Sequence, residues 1–272
     1  MNSPVKMFLG ILLFCLAAQV SFAAQTSSAA PGNARERIAL VIGNAAYQSV
    51  ALRNPVNDAR DMAKALKESG FQVSLVTDAD QKRMKSAIRA FGKRLTANTV
   101  GLFYFSGHGV QYQGRNYLIP IGVVSEVSVP DHLITETVDM GYALAVMKQS
   151  GSDLNIVVLD ACRDSPFKSF FKSLGKGLAR IDQSEGILIA YATSPGKVTL
   201  DGHGENSPYT KQLVRQIRKS DKPIELMLKA VRTAVKSDTG GMQVPWYEAS
   251  IGGILVSRIQ PRQKPNEANQ QL

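Results

Sequence analysis

The sequence predicts an α/β protein whose mostly parallel, six-stranded sheet lies between helices. Two observations carry this: six short apolar runs without clean alternation, and amphipathic helical patterns between them. The runs are residues 38–43, 72–77, 100–105, 154–159, 187–192 and 251–256, rich in Val, Ile, Leu and aromatics. Such runs suit strands covered on both faces, and their alternation with helices calls for parallel pairing through crossovers. Over 57–69, Ala59, Met62, Ala63 and Leu66 fall on one helical face and Gly70 closes the segment. Over 81–95, Met84, Ile88, Phe91 and Leu95 do the same, and a third helix is expected over 138–148. Ser207-Pro208 forms an N-cap and N1 pair for a helix through Ile217. Pro223 opens the last helix, with Leu226, Ala230 and Ala234 expected to face inward. Residues 112–121, turning at Gln113-Gly114, read as a small hairpin inserted after the third strand.

The two ends of the chain read differently from the body. Lys6 precedes an apolar run from Met7 to Ala18, and Ser21-Phe22-Ala23 offers small residues where a signal peptidase reads. The run is too short for a membrane span, so residues 1–23 read as a cleaved export signal and the protein as periplasmic or secreted. Residues 24–35 are small and polar, a flexible lead-in, and 36–258 form one domain. Residues 259–272 hold prolines and amides without an apolar pattern and read as a disordered tail. With 44% hydrophobic and 20% charged residues, the body has the balance of a soluble globular domain. The formal charge of +10 comes from basic residues scattered along helices, not interleaved with aromatics, so nucleic acid is not an expected partner.

Cys15 leaves with the signal, and Cys162 is then the one cysteine of the mature chain. It cannot close an internal disulfide, and reads either as a reactive thiol or as an inert buried one. Position bears on the choice. In open α/β sheets ligands gather beyond the carboxyl ends of the strands. The third strand delivers Ser106-Gly107-His108-Gly109 at that edge and the fourth delivers Asp160-Ala161-Cys162-Arg163. An imidazole near a thiol lowers its pKa or takes its proton, and the glycines let a substrate backbone come close. The three histidines and the single mature cysteine show no HExxH or CxxC spacing, so neither a metal nor a cofactor is expected. There is no G-x-S-x-G elbow and no phosphate-loop spacing, which sets serine hydrolases and nucleotide binders aside. His132 and His203 read as loop residues.

The strand–SGHG and strand–DAC pairing, with Cys162 54 positions after His108, resembles the superfamily of caspases, metacaspases and paracaspases, peptidase family C14. The resemblance runs from RIALVIGN at 37–44 through LRNPVND at 52–58, YATSPG at 191–196 and NSPYT at 206–210 to QVPWY at 243–247. The pattern also resembles that of bacterial metacaspase-like proteins. The resemblance implies a caspase-like three-layer α/β/α sandwich and a cysteine endopeptidase working on peptide or protein substrates. It implies His108 and Cys162 as the catalytic dyad, with the N–H groups of Gly109 and Cys162 as oxyanion hole. Asp160, where caspases have glutamine, matches the metacaspase and paracaspase pattern and implies cleavage after Arg or Lys. Asp58 matches a second acidic pocket residue, and Ser106 a pocket wall. Asp58 also reads simply as a helix cap, and Trp246 either as a wall of the cleft or as cover for the sheet edge. Asp131, Glu136 and Asp139 do not reproduce the adjacent acidic pair of calcium-dependent metacaspases, and no calcium site is expected. The loop after Cys162 departs from the metacaspase His-Ser-Gly with Arg163-Asp164-Ser165. Its basic residues read as a solvated face or as a self-cleavage substrate at Lys172, Lys176 or Arg180. The rival from another class is an exported binding module that uses the same cleft without turnover.

Overall fold

A computed structural model describes residues 35–48, 50–123, 130–152, 154–162, 178–181, 185–195, 197, 199–219 and 221–251. All of them belong to the unit Arg35–Leu272. The readings of residues 1–34 and 259–272, and of Lys172 and Lys176, lie outside the described residues.

Strand β1 (Glu36–Gly43) is followed by helix α1 (Pro55–Glu68), β2 (Gln72–Thr77), α2 (Gln81–Gly92) and the long β3 (Thr99–Tyr112). Then come β4 (Arg115–Leu118), α3 (Pro130–Glu136), β5 (Val138–Asp139), α4 (Met140–Gln149), β6 (Leu154–Cys162), β7 (Ile187–Tyr191), α5 (Pro208–Lys219), α6 (Ile224–Asp238) and β8 (Trp246–Ser250). The main sheet has the order β2-β1-β3-β6-β7-β8. It is parallel from β2 to β7, and β8 closes it antiparallel. Beyond His108, β3 leaves this sheet and turns back through Gln113-Gly114 to pair with β4, which in turn pairs with β5. The hairpin expected at 112–121 is therefore present, paired over 109–118 and so beginning three residues earlier than the sequence indicates.

Alternation along the central strands buries both faces. Ala39, Val41, Leu102, Tyr104, Ile156 and Val158 join α1, α5 and α6 in one core. Their neighbours Ile38, Leu40, Phe103, Phe105, Val157 and Leu159 join α2 and α4 in the other. That makes a three-layer α/β/α sandwich, and it explains why the strands read as unbroken apolar runs rather than alternating ones. Gly43, at the end of β1, lets α1 come close: a Cβ there would stand 2.3 Å from the Pro55 carbonyl oxygen.

Four local readings are corrected. The last strand lies at 246–250, ahead of the apolar run at 251–256, of which the residues after 251 lie outside the described ones. An edge strand with one exposed flank carries Trp, Tyr and Glu more readily than a buried one, so its apolar signal is weak. The third helix begins at Met140, because Val138 and Asp139 pair with Leu118 and Tyr117. Helix α6 buries Ile224, Met227, Leu228, Val231 and Val235, whereas Leu226 is exposed. The wide apolar stripe of that helix left its rotation ambiguous by one residue. His132 lies in α3, not in a loop.

Candidate active site

The chain reverses its direction of growth across the sheet between β1 and β3, since β2 flanks β1 on one side and β3 continues on the other. A crevice is expected at the carboxyl ends of strands at such a switch point. His108 and Cys162 stand beside it as the last register pair of β3 and β6, two residues beyond the pair Ser106 and Asp160.

His108 is fully buried. Its Nε2 lies 2.7 Å from the Val50 carbonyl oxygen. A carbonyl only accepts, so Nε2 carries the hydrogen and Nδ1 is the basic nitrogen of the neutral ring. The sequence shows no third member of a triad. The structure supplies an orienting group in a backbone carbonyl, which leaves no signature in residue types.

Gly109 follows. Ile119 N donates to the His108 carbonyl at 3.0 Å, which makes Gly109 and Leu118 a non-hydrogen-bonded pair. The Gly109 N–H is therefore not used by β4. Since Ser106 O accepts from Asn44 N on the β1 side, alternation turns the Gly109 N–H toward the β6 side, where Cys162 stands. A Cβ at Gly109 would meet the Ala161 Cβ at 3.1 Å and Leu178 at 3.3 Å, so a larger residue there would need these neighbours to give way slightly.

Below this pair lies a cluster of acids. Asp58 is fully buried in the first turns of α1, yet it caps nothing in its own helix. Its Oδ1 accepts from Ser207 N at 2.9 Å and its Oδ2 from Ser106 Oγ at 3.2 Å. Asp160, 1% exposed, accepts on Oδ2 from Ser207 Oγ at 2.5 Å and Thr210 Oγ1 at 2.7 Å. Ser207 also accepts from Thr210 N at 3.0 Å, so it caps α5 as the sequence indicates while joining the two acids. Tyr104 stands behind Thr210 with its hydroxyl 2.6 Å from Thr210 Oγ1. Burial, opposed by the donors, pushes Asp160 up to about 6, and the charge of Asp201 adds to the rise. Burial and then the charge of Asp160 push Asp58 up to about 8. Asp160 Oδ1 is buried with no hydrogen-bond partner among the described residues.

Asp201, Ser207, Thr210 and Tyr104 were not singled out from the sequence as site residues. Ser207 and Thr210 sit in the NSPYT run, where the N-cap role sufficed to explain the serine. Asp201 fastens the approach to α1, accepting from Arg53 N at 2.7 Å and Asn54 N at 3.2 Å. It is 147 residues from Asn54, and no local pattern signals such a contact. Trp246 begins the edge strand β8 and is 38% exposed; its Nε1 donates to Glu248 at 3.1 Å, and Arg232 lies over its ring. These contacts match cover for the sheet edge. Among the described residues no group of three His, Cys, Asp or Glu is placed to hold a metal ion, and no helix is long and apolar enough to cross a membrane.

A three-layer sandwich with a histidine and a cysteine paired at adjacent strand ends above two buried acids defines a caspase-like domain. The family model described as the caspase domain, peptidase C14, matches residues 36–253. The chain belongs to that family. It is 25% identical over 164 residues to mucosa-associated lymphoid tissue lymphoma translocation protein 1 of Homo sapiens, a match covering 60% of this chain and 19% of that protein. The homologue from Mus musculus matches with the same identity and coverage. The chain thus spans about a fifth of the length of these curated relatives.

Proposed function

We propose that this chain is a cysteine endopeptidase that cleaves after arginine or lysine and works outside the cytoplasm, delivered by residues 1–23. Cys162 attacks the scissile carbonyl while His108 takes its proton. The N–H groups of Gly109 and Cys162 hold the oxyanion, and the proton passes to the leaving amine as the C–N bond breaks. Water, deprotonated by His108, then hydrolyses the thioester and restores the thiol.

The observation that carries the specificity is Asp160 Oδ1, a buried carboxylate oxygen without a donor among the described residues, beside a second buried acid. A buried, unpaired acceptor costs about 1–3 kcal/mol, more when charged. The guanidinium or ammonium of a P1 side chain would satisfy these acids through charge-assisted hydrogen bonds. An acidic P1 residue would instead meet Asp160 and Asp201 with like charge.

The test uses fluorogenic peptides ending in Arg and in Asp, under reducing conditions with and without calcium. The expected result is cleavage after Arg by the wild type and loss in Cys162→Ala and His108→Ala. Cleavage of neither peptide turns the reading to a binding module. Cleavage only after Asp overturns the acidic pocket and leaves the dyad standing.

A further inference from the structure

Antiparallel strands exchange two backbone bonds at each hydrogen-bonded pair, every N–H reaching the opposite carbonyl. His108 and Ile119 are placed as such a pair where β3 enters its hairpin, and one bond is direct, from Ile119 N to His108 O at 3.0 Å. In place of the reciprocal bond stands the Tyr47 hydroxyl. It accepts from His108 N at 2.9 Å and donates to Ile119 O at 3.0 Å. The bridge holds His108 N and Ile119 O about 2 Å farther apart than the ~2.9 Å of a direct bond. Asn44 Nδ2, 3.3 Å from the same carbonyl, steadies its far side. Gly107 makes room, since a Cβ there would stand 2.6 Å from the Tyr47 oxygen. The Tyr47 ring also lies against the imidazole, with centroids 4.5 Å apart and planes tilted by 54°.

We propose that Tyr47 is a positioning residue whose hydroxyl wedges the β3–β4 ladder open at His108 and so sets where the imidazole stands relative to Cys162. The proposal deepens the peptidase reading and rests on it. Val50, three residues along the same loop, holds the ring at Nε2, so this loop governs both the backbone and the side chain of His108. Without the wedge, the direct bond to Ile119 can form and draws His108 toward β4, away from β6. A misplacement of about 1 Å can cost on the order of 100-fold in rate.

Tyr47→Phe keeps the ring and removes only the wedge. The expected result is a kcat toward the Arg peptide lower by roughly 10- to 100-fold with KM within about twofold. The melting temperature is expected to hold or rise, because a direct bond replaces the bridged one. The rate of Cys162 alkylation by iodoacetamide, followed against pH in both proteins, is expected to move in the variant toward the profile of an ordinary thiol near pH 8.5. Alkylation needs no turnover. A wild type that cleaves no peptide, with a profile that still moves in Tyr47→Phe, fails the peptidase reading and keeps the positioning role. Matching alkylation profiles and matching kcat overturn the proposal, as does a kcat that falls only with the folded fraction.

Discussion

His108 and Cys162 are register partners in a parallel ladder, the last of the nine pairs joining β3 to β6. Adjacent strands stand about 4.8 Å apart, so the two residues are brought together by the sheet itself and not by a loop that must order first. Replacing Cys162 by Ala is expected to remove peptide cleavage while leaving the far-ultraviolet spectrum unchanged. His108→Ala should remove cleavage too, and lower stability by about 1–3 kcal/mol, since it empties a fully buried site against Tyr47. Urea titration of both variants checks this, and residual cleavage in Cys162→Ala at the wild-type rate would refute the nucleophile.

Asp160 has one oxygen occupied by two hydroxyls and the other without a donor among the described residues. Asp160→Asn should therefore lower kcat/KM for the Arg peptide by roughly 100- to 1,000-fold, the loss of about 3–4 kcal/mol of charge-assisted binding. Asp58→Asn should cost less, because both oxygens of Asp58 already have protein donors. Steady-state kinetics on the two variants decide it; equal losses would contradict this ranking.

Both acids have raised pKa values, from burial first. A carboxyl so placed binds its proton more tightly in the folded chain than in the unfolded one, where its value is about 3.9. Their contribution to stability is thus fully present below about pH 4 and is lost as pH rises through about 6 for Asp160 and about 8 for Asp58. The melting temperature of Asp58→Asn is expected to gain on the wild type from pH 5 to pH 9. A gap between the two that stays constant over that range would rule out a raised Asp58.

Asn116 in β4, 2% exposed, donates to the Ala179 carbonyl at 2.8 Å and accepts from its N–H at 2.6 Å. The next residue, Arg180, pairs with Glu248 of β8 at 2.7 Å, so the chain there is stitched to both the hairpin and the edge strand. Asn116→Ala leaves two backbone groups of Ala179 without their partner and should cost about 2–4 kcal/mol in chemical denaturation. A change below about 1 kcal/mol would mean that water replaces the amide fully.

How much of this was legible in the chain varies with the range of the interactions. Helices α1 and α2 announced their buried faces because Met62, Leu66, Met84 and Ile88 recur at the helical period, a local property. Strand β8 did not, since an edge strand carrying Trp246 and Glu248 lacks the apolar density by which the other strands stand out. The placement of Ser106, His108, Gly109, Asp160 and Cys162 along one edge of the sheet was legible because strand ends in an α/β order share that edge, whereas the pocket roles of Ser106 and Asp160 came from the family resemblance. Asp58 could be read as a cap or as a pocket acid. Its bonds to Ser106 and Ser207, 48 and 149 residues away, set aside the cap.

Sequence by itself determined the layered α/β architecture and which residues end the two central strands, because periodicity and strand order follow from side chains within a few positions of one another. Only the tertiary structure decided that Ser207 joins Asp58 to Asp160, that the Val50 carbonyl orients His108, and that Tyr47 takes the place of a ladder bond. Those relations use backbone groups, which every residue carries alike, and hydroxyls brought from distant segments. Composition and spacing therefore carry no trace of them until the sheet has set the distances.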